Sequence, residues 1–291
     1  MMRIFFVLLF AFSYQLLSSQ DNAVHIMTYN IRLLHQGDGI NYWEHRRSNL
    51  TNLIDYHEAD IIGVQEAFRS QLDDIITDLP HYAWFGVCRT DGSMTPQPDG
   101  EFSAILYRKE RFEWLDGNTF WLSQTPDKIG SVGWDAALPR IVTWARFRDR
   151  MNDKIFFHFN THFDHMGEQA RYESALLILK KIEEIAGDMP VVLTGDFNCT
   201  PSEKPYLALT DSTNAFYIND AFTTSTELHY GPEATFAPDF MITGLTNRRI
   251  DFVFTSSQTS VRKHGILSDS MNGRLPSDHL PVFAEIFFTR D

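Results

Sequence analysis

Cysteine is scarce in this chain, which has only Cys88 and Cys199 among its 291 residues. A single pair does not indicate a disulfide framework. Cys199 also follows Asn198 directly, in a segment that offers candidate functional groups. We therefore expect two free thiols, although an exported chain would permit a disulfide.

Positive charge is also scarce. The chain carries 25 lysines and arginines against 38 acidic residues, a formal net charge of −13. Binding to long nucleic acids depends mostly on basic side chains that contact the phosphate backbone, so this composition disfavours such a ligand. It favours a small substrate or the end of a short strand.

Long apolar runs are lacking after the N-terminus. The exception, residues 4–17, follows Arg3 and precedes the small polar residues Ser18 and Ser19. At about 14 residues it is shorter than the ~20 that span a bilayer, and its layout is typical of an export signal. We predict a signal peptide over 1–20, a single domain over 21–291, and a secreted or periplasmic protein. An uncleaved anchor is the alternative.

The sequence has no internal repeat, low-complexity tract or dividing linker. Short apolar runs alternate with segments of helical periodicity. Helices are predicted over 43–57, 70–79 and, most clearly, 168–186, while 90–100 has two prolines and two glycines and is predicted to be a loop. This alternation indicates an α/β fold in which two sheets pack together with helices outside.

Six short polar motifs lie in order along the chain, each at the end of an apolar run. They supply carboxylates, carboxamides and imidazoles, but no thiol. Such groups suit a hard, oxygen-liking cation and a phosphate, and strand ends are a usual place for catalytic groups in layered α/β folds. The motifs are Thr28-Tyr29-Asn30, Gln65-Glu66, Asn160-Thr161-His162, Gly195-Asp196-Phe197-Asn198, Ile250-Asp251-Phe252-Val253-Phe254 and Ser277-Asp278-His279.

Two strand ends that present oxygen atoms predict part of a metal site. Glu66 ends the buried run 60–65, and Asn30 ends the run that begins at Val24. Mg²⁺ prefers oxygen ligands and takes only one or two protein carboxylates, and Asp278 is available as a third ligand. For an isolated glutamate, a strand end that meets solvent would be the better interpretation.

Asp196 and Asn198 face the same way in an extended segment, because side chains alternate along a strand. A carboxylate beside a carboxamide can hold and activate a water molecule. The competing interpretation is a Gly-Asp turn with a side-chain cap, which is a common arrangement.

Two histidines lie among these groups. Neighbours in an extended chain point in opposite directions, so His279 cannot easily pair with Asp278; Asp251 is the candidate partner. Glu101 is the corresponding candidate for His162. Carboxylate pairing orients an imidazole and raises its pKa, which favours a cation beside a phosphate.

In this order the motifs resemble those of the endonuclease/exonuclease/phosphatase superfamily, the DNase I-like fold, from Val24 to Phe288. The resemblance implies a four-layer α/β/β/α sandwich with the site at one edge of the two sheets. The implied roles are metal binding by Asn30, Glu66 and Asp278, handling of the nucleophilic water and transition state by Asp196 and Asn198, and phosphate binding by His162 and His279, oriented by Glu101 and Asp251.

The segments Leu138-Pro139-Arg140 and 275–279 look most like the secreted bacterial members and the deadenylase/nocturnin-like branch. Arg140 is expected to bind substrate, together with Asn160, although an arginine that opens a strand is more often a surface residue. Cys199 stands where many relatives carry serine.

The resemblance implies an exported Mg²⁺-dependent phosphoesterase, with Mn²⁺ as an alternative ion. It would hydrolyse a phosphodiester by in-line attack of water, as a 3′–5′ exonuclease does. The alternatives are a phosphatase or a sphingomyelinase-like phospholipase C and, in another class, a non-catalytic binding module. The expected partner is a small phosphorylated molecule or a short nucleic-acid end, bound by a monomer without stable membrane insertion. A second metal at Asp196, Asn198 and His279 stays open.

Overall fold

The computed structural model describes residues 22–288, so the predicted signal over 1–20 lies outside the described residues. Twelve strands and five α-helices are numbered here in chain order. The strands are β1 Val24–Asn30, β2 Ile61–Phe68, β3 Tyr82–Phe85, β4 Glu101–Arg108, β5 Phe112–Trp121, β6 Ile141–Asp149, β7 Ile155–His162, β8 Val191–Asp196, β9 Asn219–Asp220, β10 Asp251–Thr255, β11 Thr259–Ile266 and β12 Val282–Phe288. The helices are α1 Trp43–Tyr56, α2 Arg69–Asp78, α3 Glu168–Ala186, α4 Lys204–Thr210 and α5 Ala221–Thr224, and short 3₁₀ turns cover Gln36–Asn41 and Ile242–Gly244.

The strands form two mixed sheets of six. Sheet A has the order β11-β12-β1-β2-β4-β3, and sheet B has the order β5-β6-β7-β8-β10-β9. Parallel pairing joins β1 to β2 and β7 to β8, and the other pairs are antiparallel. The predicted helix over 168–186 has the same bounds in the structure, and the one over 43–57 ends one residue earlier.

Three apolar clusters define four layers. One lies between the sheets and includes Ile26, Phe147 and Val253. A second joins sheet A to α1 and α2, and a third joins sheet B to α3 and α4. Since side chains alternate along a strand, each sheet buries both of its faces. The predicted α/β/β/α sandwich is therefore confirmed.

A buried polar network also connects the two sheets. Nε2 of Gln65 in sheet A donates to Oδ1 of Asn160 in sheet B at 2.7 Å, and the same oxygen accepts from Oγ1 of Thr194 at 3.1 Å. Gly63 makes room for it, because a Cβ there would lie 2.1 Å from that threonine oxygen. These hydrogen bonds fix the position of sheet A relative to sheet B.

The structure adds elements that the sequence patterns did not predict: β3, β9, β11, α4 and α5. Both cysteines are free and buried, which confirms the prediction for the thiols. Within residues 22–288 there is no helix with the length and apolarity needed to span a membrane.

Candidate active site

The predicted groups meet where the ends of neighbouring strands from both sheets come together. In sheet B, His162 ends β7 and is in register with Asp196 at the end of β8, which is in register with Asp251 at the start of β10. In sheet A, Asn30 ends β1 beside Gln65 of β2. The site is thus built at one edge of the sandwich, as the resemblance implied.

A β-bulge turns Glu66 toward this edge. The register between β2 and β4 shifts between Val64 and Ala67, and Glu66 has a left-handed backbone with φ of 59°. The strand does not end at Glu66, as the sequence suggested, but continues to Phe68. Bulges often re-aim a side chain near an active site, and left-handed φ values in non-glycine residues cluster at functional sites.

Glu66 is held by two hydrogen-bond donors. Its Oε1 accepts from Nδ2 of Asn30 at 3.1 Å, and its Oε2 accepts from the backbone N–H of Leu33 at 3.0 Å. Burial opposes ionisation, but His279, these hydrogen bonds and Arg32 together lower the pKa of Glu66 below its ordinary value. The carboxylate is therefore kept ionised, as a cation ligand must be.

Asn30 presents its amide nitrogen to the site. Nδ2 lies 3.0 Å from Oδ2 of Asp196, while Oδ1 accepts from the backbone N–H of Arg32 at 3.0 Å. In this orientation Asn30 bridges Glu66 and Asp196 as a donor. Metal ligation by Asn30, the sequence prediction, would need Oδ1 turned toward Glu66.

Asp196 lies at the centre of the site and is 1% exposed. Its Oδ1 accepts from the backbone N–H of Asn198 at 2.9 Å, and its Oδ2 lies 3.4 Å from Nε2 of His162. Burial and the nearby Asp251 carboxylate raise the pKa of Asp196 to about 7. Asp196 and Asn198 both line a cavity at this edge of the sandwich, and Phe197 between them is fully buried in the sheet B core.

His279 has the carboxylate partner that the sequence predicted. Its Nδ1 lies 2.9 Å from Oδ2 of Asp251. Burial alone would lower the pKa of His279, but Asp251 and Asp196 outweigh it and raise the pKa well above its ordinary value. This imidazole is accordingly protonated and aimed at the site.

The predicted pairing of His162 with Glu101 is wrong. Glu101 forms an ion pair with Arg89, while Nε2 of His162 lies 3.1 Å from Nδ2 of Asn198. Burial, Arg140 and Arg89 lower the pKa of His162 well below its ordinary value. His162 is therefore neutral, and the sequence-based expectation of a second imidazolium is also wrong.

Asn160 is not among the residues that line the cavity, although it was expected from the sequence to bind substrate. It is fully buried between the sheets, where Nδ2 donates to the carbonyl oxygens of Val64 and Ala104, both at 2.9 Å, and Oδ1 accepts from Gln65. Asn160 shares a strand face with His162, because side chains alternate along a strand, but it lies two residues deeper, so its amide is used to join the sheets.

Arg140 lines the cavity, as expected, although it is not a surface residue. It is 4% exposed. Its Nε lies 3.3 Å from Oδ2 of Asp164, and its Nη2 lies 3.0 Å from Nδ1 of His165. The Asp164 carboxylate is itself fixed by backbone donors at Met166 and Gly167. A loop directly after His162 thus immobilises the guanidinium.

The cavity has a volume of about 330 Å³. It contains several groups that the sequence patterns did not single out: Arg32, Arg89, His165, Phe236 and Arg248. His165 stands three residues after His162. This second histidine, so close to the motif, could have indicated that the functional segment extends beyond His162. Arg89 lies in the irregular segment between β3 and β4, where no periodicity marks it.

Three side chains in the described range could hold a metal ion together. Asp196, Asp251 and His279 offer ligand atoms within 4.8 Å of one another. However, Nδ1 of His279 is already paired with Oδ2 of Asp251 at 2.9 Å. The oxygen donors around Glu66 fit a hard divalent cation better. The role of Asp278, whose Oδ2 lies 3.7 Å from Nη1 of Arg32, stays a prediction.

Comparison with known proteins decides the family. Residues 27–279 match the model of the Endonuclease/Exonuclease/phosphatase family. The chain belongs to this family. Members of the endonuclease/exonuclease/phosphatase family hydrolyse phosphoester bonds and generally use divalent metals.

Solved structures of the family resemble this chain along most of its length. An endonuclease/exonuclease/phosphatase from Bacteroides vulgatus is 40% identical, with a TM-score of 0.84 over 91% of this chain and 99% of that chain. A mannosyl-6-phosphatase from Bacteroides thetaiotaomicron is 36% identical, with a TM-score of 0.84 over 91% and 100%. The human nocturnin catalytic domain, 20% identical with a TM-score of 0.70 over 92% and 94%, shares the fold.

Among curated relatives, an uncharacterised protein of Acanthamoeba polyphaga mimivirus is 32% identical over 170 residues, which are 54% of this chain and 59% of that protein. Drosophila melanogaster nocturnin is 24% identical over 176 residues, 57% of this chain and 26% of that protein. The chain thus spans between about a quarter and three fifths of the length of the curated relatives it matches.

Proposed function

We propose that this chain is a divalent-metal-dependent phosphoesterase that acts on small phosphorylated substrates. The observation that carries the proposal is the convergence of Glu66, Asp196 and His279 on one cavity of about 330 Å³. A cavity of that size is at the small end of ligand sites. The acidic chain also gives little long-range attraction for a polyanion.

The donor set supports a hard cation beside Glu66. Asp278 lines the same cavity as Glu66, and Oδ1 of Asp251 is a buried oxygen without a hydrogen-bond partner among the described residues. We propose Mg²⁺ as the ion, with Mn²⁺ as the alternative. A bound cation would neutralise charge that develops on the phosphate and on the leaving oxygen.

Asp196 is the proposed base. Asn30 and the backbone of Asn198 fix its carboxylate at 3.0 and 2.9 Å. In the proposed step Asp196 accepts a proton from water while the water oxygen forms a bond to phosphorus. The bond from phosphorus to the ester oxygen breaks, that oxygen leaves with the bonding electron pair and takes a proton from solvent, and Asp196 later returns its proton to solvent.

His279, His162 and Asn198 would stabilise the phosphate during this step. His279 is oriented by Asp251 and donates from Nε2, which adds positive charge where negative charge develops. His162 contributes as a neutral ring held beside Asn198. Removing one such donor typically costs ~10²–10³ in turnover, so alanine at Glu66, Asp196, His162 or His279 is expected to abolish most activity in a folded protein.

A screen of the purified protein with Mg²⁺, with Mn²⁺ and with a chelator tests the proposal. The substrates should include hexose phosphates, p-nitrophenyl phosphate, bis(p-nitrophenyl) phosphate, single-stranded RNA and DNA, and sphingomyelin. Asp196→Asn is the inactive control, and Asp211→Asn, at an exposed carboxylate, is its matched control. Metal-independent hydrolysis, or full activity of Asp196→Asn, would contradict the proposal.

The mannosyl-6-phosphatase at 36% identity favours a phosphate monoester as substrate. Cleavage of a phosphodiester in the manner of a 3′–5′ exonuclease, the leading sequence-based prediction, is the second candidate, supported by the family's nuclease-like members. Export and the monomeric state stay predictions. Fractionation of expressing cells and sedimentation of the purified chain test them.

A further inference from the structure

We propose that Arg89 and Arg140 form a subsite that selects phosphate monoesters over diesters by holding the third unesterified oxygen of the scissile phosphate. This inference rests on the proposed phosphoesterase function. It concerns which esters the site accepts and assigns a specificity role to two arginines that stand outside the metal and base machinery.

The strand order places this subsite next to the phosphate-binding groups. Arg140 directly precedes β6, which pairs with β7, the strand that ends in His162. Neighbouring strands lie about 4.8 Å apart, so Arg140 is next to His162 and about two strand spacings from Asp196. Arg89 and Arg140 therefore occupy the end of the cavity that is opposite His279 and Asp251.

Both guanidiniums are fixed before any substrate binds. Arg89 is paired with Glu101, whose backbone carbonyl also accepts from the N–H of Arg89 at 3.0 Å. Arg140 is held by Asp164 and His165 at 3.3 and 3.0 Å. Fixed donors lose little conformational entropy on binding an oxyanion, which is the condition for a selective subsite.

An unused donor indicates what this end of the cavity binds. Nη1 of Arg140 has no hydrogen-bond partner among residues 22–288, although only 4% of this residue is exposed. A buried donor without a partner costs free energy. An oxygen atom held in the small recess that Arg140 lines is the candidate partner.

The small recess that Arg89 and Arg140 line has room for one oxygen atom and for little else. This recess, lined by Arg89, Glu101, Phe102, Ser103, Arg140, Ile141 and His162, has a volume of about 10 Å³. That volume corresponds to a single water-sized atom. A second ester group pointing this way would collide with the wall, whereas the bare oxygen of a monoester fits.

The cavity carries charges of both signs. Four arginines (Arg32, Arg89, Arg140 and Arg248) and four carboxylates (Glu66, Glu101, Asp196 and Asp278) line it. A phosphate monoester carries one more negative charge than a diester near neutral pH. Arg140, whose Nη1 has no hydrogen-bond partner among residues 22–288, is the cation that this extra charge would meet.

Arg89→Gln and Arg140→Gln test the proposal against Arg146→Gln, an exposed arginine on the same strand β6. For each purified protein with Mg²⁺, kcat/KM is measured for p-nitrophenyl phosphate and for bis(p-nitrophenyl) phosphate. We expect Arg89→Gln and Arg140→Gln to lose about 100-fold on the monoester, the usual cost of one positioned donor. We expect less than about 5-fold loss on the diester, and Arg146→Gln should match the wild type. Equal losses on both esters, or a wild type that prefers the diester, would overturn the proposal.

Calorimetric binding of inorganic phosphate and of dimethyl phosphate gives a readout that needs no turnover. The wild type should bind inorganic phosphate at least about 10-fold more tightly than dimethyl phosphate, a preference of about 1.4 kcal/mol, and Arg140→Gln should lose it. Equal affinities in the wild type would refute the subsite. An inactive wild type that keeps the preference would refute the phosphoesterase function and leave the subsite supported. Thermal unfolding of each variant checks that the fold is retained.

Discussion

Asp251 and His279 form a buried pair, with Oδ2 of Asp251 2.9 Å from Nδ1 of His279. Asp251 begins β10 of sheet B, whereas His279 precedes β12 of sheet A. The pair therefore connects the two sheets at the edge that carries the site. It also holds the imidazole as a cation, because Asp251 and Asp196 outweigh the effect of burial on its pKa.

Asp251→Asn is expected to lower kcat by about 100-fold, the usual cost of impairing one positioned donor. An amide keeps the shape of the side chain but removes the charge that raises the pKa of His279. That pKa then falls, so the alkaline limb of the pH–rate profile should move to lower pH. Steady-state rates between pH 5 and pH 10 measure both effects, with the exposed Asp239→Asn as control. An unchanged alkaline limb would show that Asp251 does not set the charge of His279.

Glu66→Gln is expected to weaken Mg²⁺ binding by at least about 10-fold, because an amide lacks the charge that holds a hard cation. Calorimetric titration of the chelator-treated protein measures this without turnover. The fold should persist, since Gln can keep the hydrogen bond from Leu33. The control is Glu44→Gln, at an exposed glutamate in α1. Equal Mg²⁺ affinity in Glu66→Gln and wild type would place the metal elsewhere.

Asn160→Ala separates a structural role from substrate binding. The change leaves Gln65 and two backbone carbonyls buried without their partner. We expect a loss of roughly 1–3 kcal/mol in the free energy of unfolding, the cost of unsatisfied buried groups. KM at a temperature where the variant is folded should stay within about 2-fold of wild type. A raised KM with unchanged stability would restore the substrate-binding assignment. Urea unfolding and steady-state kinetics provide the two readouts.

His158 should make the protein sensitive to acid. Its ring is fully buried beside Thr194, and burial lowers its pKa from 6.5 to about 3. Because the folded-state pKa lies below the unfolded value, this contribution to stability is present above pH 6.5 and is lost as pH falls toward 3. Between pH 7.5 and pH 5 the loss should be about 2 kcal/mol.

Urea unfolding of wild type, His158→Gln and the exposed His45→Gln at those two pH values checks this. His158→Gln should remove most of the acid-dependent loss, and His45→Gln should leave it unchanged. The same pH dependence in all three proteins would assign acid sensitivity to other groups.

Predictions from local patterns succeeded where one chain segment carried the information. The helix over 168–186 has a long apolar periodicity, and its bounds agree with the structure. Phe197 alternates with Asp196 and Asn198, and the structure buries it as expected. By contrast, β9 has two residues and α5 has four, too few to show a period.

The partners of single side chains were harder to predict. Glu101 was expected beside His162 as the candidate carboxylate partner of that imidazole, but it pairs with Arg89 instead. Arg89 is twelve residues earlier, in a segment without periodicity. Only the antiparallel bridge between Cys88 and Phe102, near the start of β4, brings Arg89 and Glu101 together. The position of Asn160 was hard to predict for a related reason, because the sequence does not show how deep between the sheets its amide lies.

From the sequence alone follow the fold class, the family resemblance, and the set of oxygen and imidazole groups that suit a phosphate and a hard cation. These depend on periodicity and residue chemistry, which are local properties. The packing of sheet A on sheet B decided the rest: that the pKa of His279 is raised, that the pKa of His162 is lowered, and that Arg89 and Arg140 line the same cavity. Such properties depend on burial and on charges brought near from distant segments, which no local stretch of sequence contains.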